Sequence, residues 1–290
     1  MPSRVGTDDE VRPWLDELGL PGLVDIHVHF MPQNVLDKVW SYFDGTGIWP
    51  INYRTSEEER LQTLRNLGVT GFAPLVYPHK PGMAAWLNDW ALDFGTRVPE
   101  AVPTATFFAE PDADEYVRKA LDAGARCFKV HVQVGAYDPR DPLLDPVWGM
   151  IAEAGVPVVT HAGNGPIPGA HTGMDVLAQV LERHPRLTAV IAHAGMPDYL
   201  PALDLVRRFP RVHIDTTMVG VPFSEAFAPL PDDWALRLAD LGDRVAFGSD
   251  FPNIPYDYAT QLRAIAEWEI GSDFLRSVLY FNPSALLRLN

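Results

Sequence analysis

The stretch Gly22-Leu-Val-Asp-Ile-His-Val-His-Phe30 decides how the rest of the chain is read. It is an apolar, β-branched run that ends in two imidazoles one residue apart. Side chains alternate along a strand, so Asp25, His27 and His29 are expected on one face and Val24, Ile26 and Val28 on the other. Two neutral imidazoles on neighbouring same-side positions make half of a divalent metal site. A bare His-x-His also occurs in ordinary cores, so the pair needs partners from elsewhere in the chain.

Seven further runs of the same kind follow, at Gly71–Tyr77, Val102–Phe108, Arg126–Val134, Val156–His161, Thr188–His193, Val212–Thr217 and Val245–Ser249. They are short and rich in Val, Ile, Phe and Thr, as buried parallel strands are. Amphipathic stretches separate them, at Ser56–Leu67, Asp112–Ala123, Pro142–Glu153, Asp175–Arg183, Pro197–Phe209 and Asp232–Leu241. Several stop at a glycine, namely Gly68, Gly124, Gly155 and Gly242, as helices favour. This alternation over about 260 residues predicts an α/β fold, a closed (β/α)8 TIM barrel in one domain spanning 1–290, with residues 1–20 as an N-terminal extension. An open doubly wound sheet usually carries a Gly-rich phosphate loop after its first strand, and none is present. Two connections exceed ordinary loop length. Residues 31–55, with Trp40, Tyr42, Phe43, Trp49 and Tyr53, form an aromatic-rich insertion expected to cap the barrel mouth or act as a substrate lid. Thr216–Pro231, with Met218, Val219, Pro222 and Phe223, is expected to be a pocket wall.

The formal charge of −15 over 290 residues opposes binding to nucleic acid or an anionic membrane. No apolar run of about 18 residues occurs, so no membrane span is expected. Residues 1–10 are polar and lack the apolar core of a secretory signal, and Cys127 is the only cysteine. A soluble cytoplasmic protein is the expectation.

A barrel makes the histidine pair testable, because other strands should end in ligands at the same rim. The fifth ends Pro157-Val-Val-Thr-His161, the sixth Val190-Ile-Ala-His193 and the eighth Ala246-Phe-Gly-Ser-Asp250, while the fourth contains Lys129-Val-His131. Each buried polar group costs free energy without a partner, and a shared divalent cation supplies one.

These strand ends, with Thr160-His-Ala-Gly163, Ala192-His-Ala-Gly195 and Gly248-Ser-Asp-Phe-Pro252, resemble the metal-dependent amidohydrolase superfamily. The likeness is greatest to its amidohydrolase-related branch, which includes aminocarboxymuconate-semialdehyde decarboxylase-like proteins. It extends to the terminal Asn282-Pro-Ser-Ala-Leu-Leu-Arg-Leu289. The resemblance implies that His27, His29, His161 and Asp250 hold a single Zn2+-type ion, with His193 beside it as an acid/base group. Three imidazoles and one carboxylate suit zinc, which lowers the pKa of a coordinated water towards about 7. Asp250 would orient that water and take its proton. In binuclear relatives the strand-four lysine is carboxylated and bridges two metals. Lys129 stands at that place; its alternative is a plain ammonium paired with a substrate carboxylate or with Asp250.

Lys129, His131, His79 and Trp40 are the substrate-binding candidates, with His131 divided between the pocket and structural hydrogen bonding. His171, in a loop after the fifth strand, ranks with His79. His184 precedes Pro185 at a helix end, where a cation meets the helix dipole, and is read as structural. His213 reads as strand packing, and Asp25, deeper in the barrel, as support for a ligand.

The reaction expected is hydrolysis of an ester, lactone or amide bond in a small molecule. The alternative is a non-oxidative decarboxylase of an aromatic or muconate-type acid, which needs cations for the acid groups; Lys129, Arg54 and Lys80 are available. In decarboxylating relatives the strand-five histidine is typically followed by a proline and a bulky residue. Here Ala162-Gly-Asn-Gly-Pro166 follows, which favours the hydrolase. A catalytically dead barrel would have lost a ligand, and every expected ligand is present. A small-molecule substrate is the expected partner, and a homodimer, common among similar proteins, stays open.

Overall fold

A computed structural model describes residues 4–289 of the chain. Eight short strands form, each where an apolar β-branched run was expected: β1 Leu23–Val28, β2 Val69–Pro74, β3 Thr104–Thr106, β4 Cys127–His131, β5 Val158–His161, β6 Ala189–Ile191, β7 Val212–Asp215 and β8 Val245–Ala246. β1 pairs with β2, and β3 to β8 pair in chain order, all in parallel. Backbone contacts close the two remaining seams. Between β2 and β3, Phe72 bridges to Ala101, and Val102 N–H donates to Phe72 O at 2.9 Å. Between β8 and β1, Ile26 N–H donates to Phe247 O at 3.0 Å and Asp250 N–H to His27 O at 2.8 Å. The fold is a (β/α)8 TIM barrel.

The amphipathic stretches are helical at Glu57–Asn66, Ala113–Asp122, Asp145–Ala154, Met174–Arg183, Tyr199–Arg208 and Trp234–Ala239. Gly68, Gly124 and Gly155 follow them with positive φ, as helix-ending glycines do, whereas Gly242 opens a short 3-10 turn over Gly242–Arg244. The N-terminal residues add helix Asp8–Glu17, which buries Val11, Trp14 and Leu15. Asp8 accepts from the Tyr53 hydroxyl and from Ala259 N–H, tying this helix both to the insertion after β1 and to helix Tyr258–Ala266. None of the described helices is long and apolar enough to cross a membrane.

β1 departs from the expected alternation. Val24 and Ile26 pack with Ala73, Cys127, Val159 and Val190, while Val28 and Phe30 pack with Phe72 in the outer core. The Asp25 carboxylate accepts from Ser249 Oγ and from the Tyr258 hydroxyl of an outer helix, at 2.6 and 2.7 Å. The β1/β2 register shifts between Asp25 and Val28, and such an irregularity reverses the side on which later residues project. Asp25 therefore does not share a face with His27 and His29. It also accepts from His27 N–H and Ser249 N–H, at 3.0 and 3.2 Å, so it braces the backbones that carry His27 and Asp250.

Candidate metal centre and the cavity above it

The polar strand ends meet at one rim. Among the described residues, His27, His193 and Asp250 each offer a ligand atom within 4.8 Å of the others. His27 and His29 present Nε2 to Asp250 Oδ1, at 3.6 and 3.0 Å. Their other nitrogens are engaged behind them. His27 Nδ1–H donates to Asp215 Oδ2 at 2.9 Å, and His29 Nδ1–H to the Leu75 carbonyl at 2.9 Å. His193 Nδ1–H donates likewise to the Thr217 carbonyl at 3.1 Å. With each Nδ1 proton committed, each Nε2 is left with a lone pair aimed at the centre. His161 lies outside the triad. Its ring is 4.8 Å from that of His193, and its Nε2–H donates to Gly165 O at 3.1 Å, which leaves Nδ1 as its free electron pair. His131 stacks on His161 at 3.9 Å and accepts from Val134 N–H. Lys129 Nζ reaches His27 Nε2 at 2.9 Å.

Backbone strain accompanies this convergence. His193 and Ala194 at the end of β6, and Asp250 beyond β8, have φ of 54°, 48° and 72°. Left-handed conformations in non-glycine residues cost about 1–2 kcal/mol each and tend to persist at functional sites. Gly248 is required for a different reason. A Cβ there would lie 2.3 Å from Thr217 Oγ1 and 2.7 Å from His27 Cβ. Only glycine lets β8 approach β1 and β7 closely enough for Asp250 to meet the imidazoles.

Burial sets the charge states. It pushes the His27, His131 and His161 imidazoles well below their ordinary range and His193 down to about 4, so these rings are neutral, as ligands must be. It pushes Lys129 down to about 8, against the pull of Asp215 and Asp250. Burial alone would raise Asp250; positive charge at the imidazole nitrogens that face it outweighs burial and holds the carboxyl well below the usual range. A carboxylate oxygen and imidazole lone pairs thus face one another across 3.0–3.6 Å, which requires positive charge between them. This donor set fits a divalent cation of the zinc type.

Residues 24–289 match the family described as Amidohydrolase. The chain belongs to the amidohydrolase family. A search of curated proteins found no match. Among solved structures, this amidohydrolase is similar to an uncharacterised TIM-barrel protein from Bordetella bronchiseptica, at 19% identity and a TM-score of 0.72, covering 92% of this chain and 98% of that one. It is similar to 5-carboxyvanillate decarboxylase from Sphingomonas paucimobilis at 16% identity and TM-score 0.63, covering 93% and 100%. It is similar also to a probable 2-pyrone-4,6-dicarboxylic acid hydrolase from Acinetobacter baumannii, solved with citric acid bound, at 14% identity and TM-score 0.64, covering 92% and 100%. At these identities the likeness is one of fold.

Above the centre of the amidohydrolase lies a cavity of about 410 Å³, within the range of small-molecule sites. Helix Gln33–Thr46 and the segment after it form its outer wall through Val39, Tyr42, Phe43 and Trp49, as expected of a cap over the barrel mouth. Met218 and Phe227 come from the connection after β7, and Phe223 there packs edge-on against Trp49 at 4.7 Å. Lys129, His131 and His79 all line the cavity, and His79 keeps a buried Nε2 without a partner.

Trp40 is the exception among the substrate-binding candidates and corrects the expectation. It is buried behind the wall, with the Arg54 and Arg60 guanidiniums each 5.3 Å from its ring, and its indole N–H donates to Asn253 Oδ1 at 3.0 Å. Arg54 is itself spent on Asp44, and neither it nor Lys80 lines the cavity. His171 sits 3.6 Å from Asp138, away from the cavity, and His184 meets Asp145 at the end of helix Met174–Arg183. Three residues escaped the sequence reading: Asp215, Asn253 and the cavity-lining Lys38. Only Asp215 carried a signal, an acidic strand end at the ligand rim.

Proposed function

We propose that this amidohydrolase is a metal-dependent hydrolase of an ester, lactone or amide bond in a small organic molecule. The observation that carries the reading is the convergence of His27 Nε2 and His29 Nε2 on Asp250 Oδ1, at 3.6 and 3.0 Å. His27, His29, His161 and Asp250 would hold the ion, Zn2+ by the chemistry of the donors, and His193 would work beside it. When bound, the cation makes a water acidic enough to attack an acyl carbon at neutral pH. The residues of the chain do the rest. Asp250, ionised in its pocket, orients that water and accepts its proton at the carboxylate. His193 is neutral, with Nδ1–H held by Thr217 O, and takes or returns a proton at Nε2. The aromatic cap keeps bulk water off the reacting bond.

A second reading, a carboxy-lyase on the same ion, is favoured by the buried Lys129 ammonium and by the apolar walls, which suit an aromatic acid. One assay separates them: acid release from lactones, esters and amides against CO2 release from hydroxybenzoates. The hydrolase reading fails if only CO2 appears. In parallel, His193→Asn should retain the metal and lose about 100-fold or more in turnover. Loss of the metal would instead move His193 into the ligand set.

A further inference from the structure

Asn253 stands three residues beyond Asp250, in the turn that follows β8, and its N–H donates to the Asp250 carbonyl at 2.8 Å. Both indoles of the aromatic cap converge on it. Trp49 Nε1–H donates to its backbone carbonyl at 2.7 Å, and Trp40 Nε1–H to its side-chain Oδ1 at 3.0 Å. An indole nitrogen only donates, so Trp40 fixes which end of the amide it faces: Oδ1 toward the indole, Nδ2 away from it. Trp40 has little freedom to release that hold. It is 5% exposed and flanked by two guanidiniums.

The other end of the amide is the informative one. Asn253 is 2% exposed, yet no described residue accepts a hydrogen bond from Nδ2. Nδ2 is also not among the side-chain atoms sealed in the interior without a partner. Asn253 itself lines the cavity, alongside Asp250, Phe43 and Trp49. Two oriented N–H donors at that place attract an oxygen and repel an ammonium.

We propose that Asn253 is a specificity-determining residue whose Nδ2 binds an oxygen of the substrate's carboxyl or acyl group, and that Trp40 is the positioning residue that presents it. The substrate class is then a planar acid or acyl compound. Its oxygen sits beside Asp250, and its ring lies against Phe43 and Trp49, which are themselves inclined at 32° and 5.1 Å apart. The inference rests on reading this cavity as the substrate site. It is independent of whether the bond cleaved is acyl–oxygen, acyl–nitrogen or carbon–carboxylate.

Benzoate is a suitable probe, because its binding needs no turnover. Calorimetric titration into the full-length protein, with its metal complement measured, should show binding. Asn253→Leu removes the donor at nearly constant size, and Asn253→Asp keeps the acceptor for Trp40 but replaces the donor with an oxygen. Each should weaken benzoate by about tenfold or more at unchanged metal content. Trp40→Phe should weaken it less, since the amide remains but loses its orientation. Absence of benzoate binding to the wild type overturns the proposal, as does an Asn253→Leu affinity within about threefold of it. If the variants do not fold, a crystal structure of the wild-type complex decides: a carboxylate oxygen about 3 Å from Asn253 Nδ2 is expected, and a carboxylate turned elsewhere overturns it. A failed hydrolase assay with intact benzoate binding would sink the reaction proposed above and leave this assignment standing.

Discussion

At the residue scale, the chemistry of the site depends on groups one layer behind the imidazoles. Asp215 is one of these. Its Oδ2 takes the His27 Nδ1 proton, while its Oδ1 accepts from His193 N–H at 2.8 Å and Thr217 N–H at 3.1 Å. One carboxylate thereby fixes the tautomer of His27 and the strained backbone of His193. Burial raises its pKa, with His193 and Lys129 opposing, so its charge is held at a cost that the hydrogen bonds offset. Asp215→Asn leaves the shape but exchanges one acceptor for a donor. Zinc affinity, measured by chelator competition, should fall about 10–100-fold. An unchanged affinity would show that His27 is oriented by something else.

At the scale of elements, the eight strands were legible because buried parallel strands are written as short β-branched runs, and the candidate ligands at the rim because they end those runs. Other features were not. The face on which Asp25 projects depends on the β1/β2 register shift, which strand closure imposes and alternation cannot foresee. The role of Trp40 depends on where helix Gln33–Thr46 docks, so the same residue could have faced the cavity or, as here, Asn253. β7 illustrates both ends of a strand. Asp215 closes its upper end, whereas His213 lies toward the other, away from the metal centre, lining a separate depression with Asp243, Asn282 and Arg288. Burial there, with Arg244 adding repulsion, pushes the His213 imidazole down to about 4. Its folded pKa lies below the ordinary value of about 6.5, so the unfolded chain binds the proton more readily. The contribution of His213 to stability is therefore complete above pH about 6.5 and is lost as pH falls through about 4. Thermal melts between pH 7 and 4 should fall less steeply in His213→Gln, by up to about 2 kcal/mol after allowance for partial exposure. Parallel pH profiles for the two proteins would contradict this.

At the scale of the molecule, the barrel converts separation in sequence into one site. His27, Lys129, His161, His193, Asp215 and Asp250 come from six strands or strand ends. The insertion after β1 completes the enclosure by docking on the turn that carries Asp250, through Trp40, Trp49 and the Asn52 N–H donated to Ile254 O at 3.0 Å. Fold, cap and donor set are thus three consequences of the same strand ends, and the metal is the claim on which the others turn. Elemental analysis of the purified protein after reconstitution with zinc tests it most directly. About one tightly held divalent ion per chain is expected, lost in Asp250→Ala while the helical circular-dichroism signal persists. A folded wild-type protein that retains no divalent ion would contradict it.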